Sequence, residues 1–265
     1  MNVFRLIIIL LFLIGVSCTN KTEETSQNSN AVSKKIRETS IQDILPILDG
    51  NWISDDYLSK IENSKAILNN DPYNSSLLGF SVLKDSLADG TDYLYGYTAH
   101  DAGSTWPIYY NTAKSRLEYD VKRSDGNDPH STFYVNIVNN TTVDLVFTDK
   151  KVRYRKTDLD TALRKILFEG TYSDAHNRPV TFSADGSVTG LDNYTFYRVQ
   201  FDPDGEEGIP FDGITLYKLE KEDSGETFHF KIQDKAIVLY NVSDPMTEDE
   251  IVIKDIAYTF TKHQK

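Results

Sequence analysis

Cysteine is almost missing: the 265-residue chain has one, Cys18. A single thiol excludes an internal disulfide, a cysteine-rich zinc site and a cysteine nucleophile in whatever folds after the N-terminal region. Positive charge is also scarce. Against 40 Asp and Glu there are 28 Lys and Arg, a formal net charge of −12. An acidic chain repels phosphate backbones, so nucleic acid is excluded as a partner. It gains nothing from an anionic bilayer, so any membrane attachment is covalent or hydrophobic. Metal spacing is missing too: His100, His130, His176, His229 and His263 form no paired set. No glycine-rich phosphate loop occurs, since Asp185-Gly186 and Asp223-Ser224-Gly225 read as turns. No metal and no cofactor is expected.

The one long apolar run, Leu6 to Ile14, is too short to span a bilayer. It follows a short positive start ending at Arg5, and Gly15-Val16-Ser17 supplies small residues before Cys18. This is the layout of an export signal. With the only cysteine at its end, it resembles the signal of a bacterial lipoprotein, in the looser form of the Bacteroidetes phylum, Gly15 standing where the usual pattern has Leu. The resemblance implies that residues 1–17 are removed and that Cys18 carries lipid. The protein is then expected in the cell envelope, at the outer membrane, facing the periplasm or the surface. Residues 18–38 are polar and read as a flexible tether, and Lys21-Thr22-Glu23-Glu24 faintly resembles the surface-export signals of such lipoproteins.

Tyr is abundant, at 16, as suits a strand-rich protein. The organising stretch is Ile47-Leu48-Asp49-Gly50-Asn51-Trp52, echoed by Leu167-Phe168-Glu169-Gly170-Thr171-Tyr172. Each opens a run of segments with strand alternation, so the chain is read as all-β, either two tandem antiparallel units covering 39–156 and 157–265 or one larger sheet system. Ile41, Ile44, Leu45 and Leu48 suggest a short helical turn that Pro46 interrupts. Strands are expected at Trp52 and near 78–84, 93–98, 107–111, 116–122, 132–138, 142–148 and 151–156. About eight strands is the size of a small closed barrel. Leu159, Ala162, Leu163, Ile166 and Leu167 share one helical face, making a short amphipathic helix that joins the units. Further strands are expected near 180–183, 194–201, 214–220, 227–232, 236–240 and 251–260.

A Gly-x-Trp (Gly50, Trp52) on the first strand, with an Arg on the last (Arg153 or Arg155), resembles the lipocalin or calycin superfamily. The resemblance covers about 41–156. It implies a barrel whose end is closed by that Arg packed across Trp52.

Candidate ligand contacts are Tyr93, Tyr95 and Tyr97, three rings on one strand face that can line a lumen or simply pack, and Trp106 and Tyr109 at a turn or barrel mouth. The loop Asp202-Pro203-Asp204-Gly205-Glu206-Glu207, with Asp212, offers oxygen ligands without EF-hand spacing. His100, Asp101 and Ser104 make a hydrolase set only if they converge. Asp49 and Glu169 open different units. No catalytic constellation emerges. The expected role is a non-enzymatic, envelope-anchored module that binds a small apolar ligand, a glycan or another envelope protein. The alternatives are a glycan-acting hydrolase with an unpaired carboxylate set, and a structural accessory lipoprotein. Fold alone does not choose among them. Metabolic labelling with palmitate is expected to tag the wild-type chain and to leave Cys18→Ser unlabelled; equal label on both would exclude the anchor.

Overall fold

The computed structural model describes residues 44–70, 77–82, 93–97, 104–111, 113–119, 132–191, 193–200, 211–220, 224–243 and 252–262. The signal, Cys18 and the tether lie outside them. A helical turn at 44–48 leads into eight strands: β1 (Gly50–Ser54), β2 (Gly79–Val82), β3 (Tyr93–Tyr97), β4 (Ser104–Asn111), β5 (Arg116–Tyr119), β6 (Phe133–Asn139), β7 (Thr142–Phe147) and β8 (Lys151–Lys156). Each pairs antiparallel with the next, and β8 returns to β1 through Trp52↔Lys156, Ile53↔Arg155 and Ser54↔Tyr154. The result is a closed barrel, which leaves no open sheet edge.

Period-two alternation fills its interior. Trp52, Phe80, Leu94, Trp106, Tyr119, Phe133, Leu145 and Tyr154 are all buried. Trp52 stacks on Phe80 at 6.1 Å between centroids, and Tyr154 meets Phe80 edge-on at 5.0 Å. Further along, Phe133 gathers Trp106, Tyr119 and Phe147 at 6.0, 5.1 and 5.3 Å. Eight strands enclose a bore that side chains can fill, and rings fill it here.

Two helices follow strands of this barrel. α1 (Asp55–Ser64) leaves β1 directly; Ser54 Oγ accepts from Tyr57 N at 3.4 Å, and Asp55 and Asp56 suit the positive end of the helix dipole. Tyr57, Leu58 and Ile61 supply a buried face that carries the helix to ten residues. α2 (Leu159–Leu167) coincides with the expected amphipathic helix and is capped by Asp158 Oδ1 on Thr161 N at 2.8 Å.

After α2 come β9 (Gly170–Ser173), β10 (Pro179–Phe182), β11 (Val188–Thr189), β12 (Phe196–Val199), β13 (Gly213–Tyr217), β14 (Glu226–Gln233), β15 (Ala236–Val242) and β16 (Ile253–Lys262). They form a second antiparallel sheet in the order β11-β10-β9-β16-β15-β14-β13-β12. Its two end strands meet through a Ser187↔Phe196 bridge, with Val188 N donating to Thr195 O at 2.9 Å and Tyr197 N to Gly186 O at 2.8 Å. The side chain of Arg164 lies over that meeting point, 5.4 Å from the Phe196 ring. β11 is only two residues long, too short for alternation to reveal it in the sequence. In β16 the simple alternation also fails. Register shifts beside Leu239 and Tyr240 turn Ile256 outward, while Phe260 stays buried.

One hydrophobic cluster joins α1, α2 and the interior of the second sheet: Ile53, Leu58 and Ile61 belong to it with Leu163, Phe168, Phe182, Tyr197 and Phe230. Two polar ties reinforce the joint. Lys65 Nζ donates to Ile166 O at 3.2 Å, and Asp212 Oδ1 accepts from Ile67 N and Leu68 N at 2.6 and 2.9 Å. Among the described residues, no helix is long and apolar enough to cross a membrane.

Trp106 corrects the sequence reading. It sits inside the barrel on β4, 3% exposed, and not on an open turn. Gly96 makes the room: a Cβ there would stand 2.2 Å from Trp106 Cζ3. Gly96→Ala is expected to cost about 1–3 kcal/mol in urea unfolding and to red-shift Trp106 emission in a Trp52→Phe background; an unchanged midpoint and emission would contradict this packing.

Candidate functional site

The first strand of each sheet begins the same way. Gly50 and Gly170 hold φ of +114° and +152°, which L side chains rarely adopt, so the chain can turn from helix to strand there. Two residues on, Trp52 Nε1 donates to Leu48 O at 2.8 Å and Tyr172 Oη donates to Phe168 O at 2.9 Å, each reaching four residues back. Burial pushes the Tyr172 phenol up to about 12, so it keeps its proton and its bond. The aromatic pairs with Lys156 on β8 in one case and Lys262 on β16 in the other.

The cation over Trp52 is Lys156, with Nζ 5.6 Å from the ring and donating to Ile47 O at 2.8 Å. Arg153 and Arg155, the residues suggested for that closure, point the other way because they alternate with Tyr154 and Lys156. Arg153 Nε binds Asp144 Oδ1 at 2.9 Å, with Lys151 Nζ 3.3 Å from Oδ2. Burial would raise the Asp144 pKa, but these two cations outweigh it and hold the carboxyl below its ordinary range. Arg155 pairs with Asp55 and donates to Ser59 Oγ at 3.2 Å.

These outward residues wall a cleft of about 570 Å³ between the barrel and the helices. Arg153, Arg155 and Lys165 line it, Lys156 borders it with its Nζ turned to Ile47 O, and Asp55 is the one carboxylate among its described lining residues. Val138, 45% exposed, and half-buried Ile166 give it an apolar side; Asn139, Thr141 and Thr142 add neutral hydrogen-bonding groups. In a chain of formal charge −12, this is a local concentration of positive charge. No ordinary sequence signal announces it, because its walls come from β6, β7, β8, α1 and α2. A second cleft of about 420 Å³ lies against α2 and the β14–β15 turn, and it shares Lys165 and Ile166 with the first. A third, of about 470 Å³, opens between the 44–48 turn and Lys114–Leu117.

The other candidates disperse. Leu94 and Gly96 face the barrel interior, and Tyr95 is 41% exposed on the outside. Tyr95, of the Tyr93, Tyr95, Tyr97 set, therefore stands on the outer face and does not line the lumen. The side chains of Tyr93 and Tyr97 lie outside the described residues. Tyr109 faces outward and donates to Glu118 Oε2 at 2.9 Å. Asp212 is committed to the backbone of Ile67 and Leu68, and the acidic loop 202–207 lies outside the described residues, as do His100 and Asp101 and the side chain of Ser104. Asp49 and Glu169 are exposed at the starts of their separate sheets. His229 is half-buried between the rings of Phe211 and Tyr240, and burial lowers its pKa. Among the described residues, no three His, Cys, Asp or Glu side chains gather to hold a metal. Comparison with family models, curated proteins and solved structures gives no match to this chain.

Glu118 supplies a pH test of the barrel wall. Burial would raise its pKa, but donors on Asn111, Arg116, Tyr109 and Lys114 hold it at about 2. Its folded value lies below its ordinary one, so its stabilisation is present above about 4.5 and is lost as pH falls towards about 2. Glu118→Gln is expected to unfold about 1–3 kcal/mol more easily than wild type near neutral pH, with the gap closing near pH 2. A gap that does not narrow in acid would refute the assignment.

Proposed function

We propose that this chain is an envelope lipoprotein carrying two related calycin-like barrel units, and that it acts by binding, without turnover, at the cleft outside β8. The tandem reading is supported by the paired Gly50–Trp52 and Gly170–Tyr172 geometry, by a Lys opposite each aromatic, and by the Ser187↔Phe196 bridge across the ends of the second sheet. The Cys18 signal supports the anchor.

The observation that carries the binding reading is the contrast between the two sides of the β1–β8 wall. Inside, Trp52, Phe80, Trp106, Tyr119, Phe133 and Tyr154 pack against one another. Outside, the cleft of about 570 Å³ lies within the range of small-molecule sites. Its cations select an anionic ligand. Asp55 is paired with Arg155, which favours a recognition role for it over acid–base work.

Thermal melting of the lipidated chain is expected to rise, saturably, with sulfate, citrate or galacturonate. The rise is expected to shrink about tenfold in apparent affinity in Lys165→Glu and to be blocked by Val138→Trp, which obstructs the cleft. No stabilisation by any of the three anions, together with stabilisation by dodecanol that shifts tryptophan emission, would move the ligand into the barrel and sink this reading.

A further inference from the structure

The two clefts against α2 share Lys165 and Ile166, which line both. The second cleft differs in character from the first. Lys65, Lys235 and Lys262 line it together with Glu62, Glu169 and Asp234. Glu169 and Asp234 are exposed, so their oxygens are open to hydrogen-bond donors from a ligand. A simple polyanion would be repelled by those carboxylates. A ligand that carries hydroxyl donors as well as negative groups would use both the cations and the carboxylates. In the first cleft, Asn139, Thr141 and Thr142 offer the same mixed hydrogen bonding beside Arg153 and Arg155. Half-buried Ile166, at the junction, gives an apolar spot suited to the C–H face of a sugar ring.

We infer that the two clefts form one continuous track for an acidic oligosaccharide, its carboxylate or sulfate groups on the cations and its hydroxyls on the carboxylates and amides, with Lys165 at the midpoint. This rests on the first cleft being a ligand site and extends it to a ligand class and a length.

The test uses the full lipidated chain in nanodiscs of phosphatidylcholine, titrated calorimetrically with galacturonic acid, hexagalacturonate, maltohexaose and hexaglutamate. Hexagalacturonate is expected to bind at least about tenfold tighter than the monomer, and maltohexaose and hexaglutamate more weakly than hexagalacturonate. Lys165→Glu is expected to weaken monomer and hexamer alike. Lys235→Glu is expected to weaken the hexamer several-fold and leave the monomer unchanged. Both lysines are exposed, and an unchanged melting temperature confirms that each variant is folded. Equal affinity for monomer and hexamer, or indifference of the hexamer to Lys235→Glu, would overturn the track and leave the first cleft standing. Hexaglutamate binding as tightly as hexagalacturonate would overturn the saccharide class. No binding of any anion would overturn the track and the first cleft together.

Discussion

A hydrogen bond from the first aromatic of a strand to a carbonyl four residues earlier holds the rest of this molecule in place. Trp52 makes it through its indole N–H and Tyr172 through its phenol. The bond ties the end of a helical segment to the start of a sheet across a glycine with positive φ. In the barrel, Lys156 completes the closure by crossing the ring and donating to the carbonyl of Ile47. A cation at a helix C-terminus is favourably placed with respect to the dipole, and here it also seals the aromatic floor. Once that floor is set by Trp52, Phe80 and Tyr154, the bore is taken up by side chains.

Most of the fold was legible because each strand obeys one strong rule. β7 and β8 alternate cleanly, the 159–167 stretch keeps helical spacing, and the repeated Leu/Phe–acid–Gly pattern marks both sheet starts. The failures have specific causes. Trp106 closely follows Asp101-Ala102-Gly103 in the sequence, and its burial depends on Gly96, its near neighbour across the β3–β4 pair, which sequence order does not reveal. Arg153 and Arg155 fit the lipocalin-like pattern by their position on the last strand of the barrel. Parity decides against them: Trp52 pairs with Lys156, so the odd-numbered arginines face out. Ile256 would share the face of Phe260 by simple alternation, and bulges within β16 reverse it.

The candidate site was far less legible. Its walls are drawn from the β6–β7 turn, β8, α1 and α2, and the sequence separates these by as much as a hundred residues. Long-range assembly of that kind leaves no local pattern. What the sequence showed was only the scarcity of positive charge, and the clefts beside α2 are one place where cations gather.

Those cations are also partly fixed before any ligand arrives. Arg155 is held by Asp55 and Ser59, Arg153 by Asp144, Lys156 by the carbonyl of Ile47 and Lys65 by the carbonyl of Ile166. Ordering a long, flexible cation on binding costs about 0.5–1.5 kcal/mol for each side chain. Here much of that cost has been met in folding, by contacts the protein needs for its own closure. The same contacts also limit the charge each cation offers, since Asp55 and Asp144 neutralise their partners in part. Lys165 is different: it is exposed, it lines both clefts, and it has no ion-pair partner among the described residues. An anion would meet exposed Lys165, Lys235 and Lys262 together with Arg153 and Arg155, which Asp144 and Asp55 neutralise in part. This arrangement favours selection by the spacing of several groups over tight capture of one, and so favours an extended ligand over a small ion.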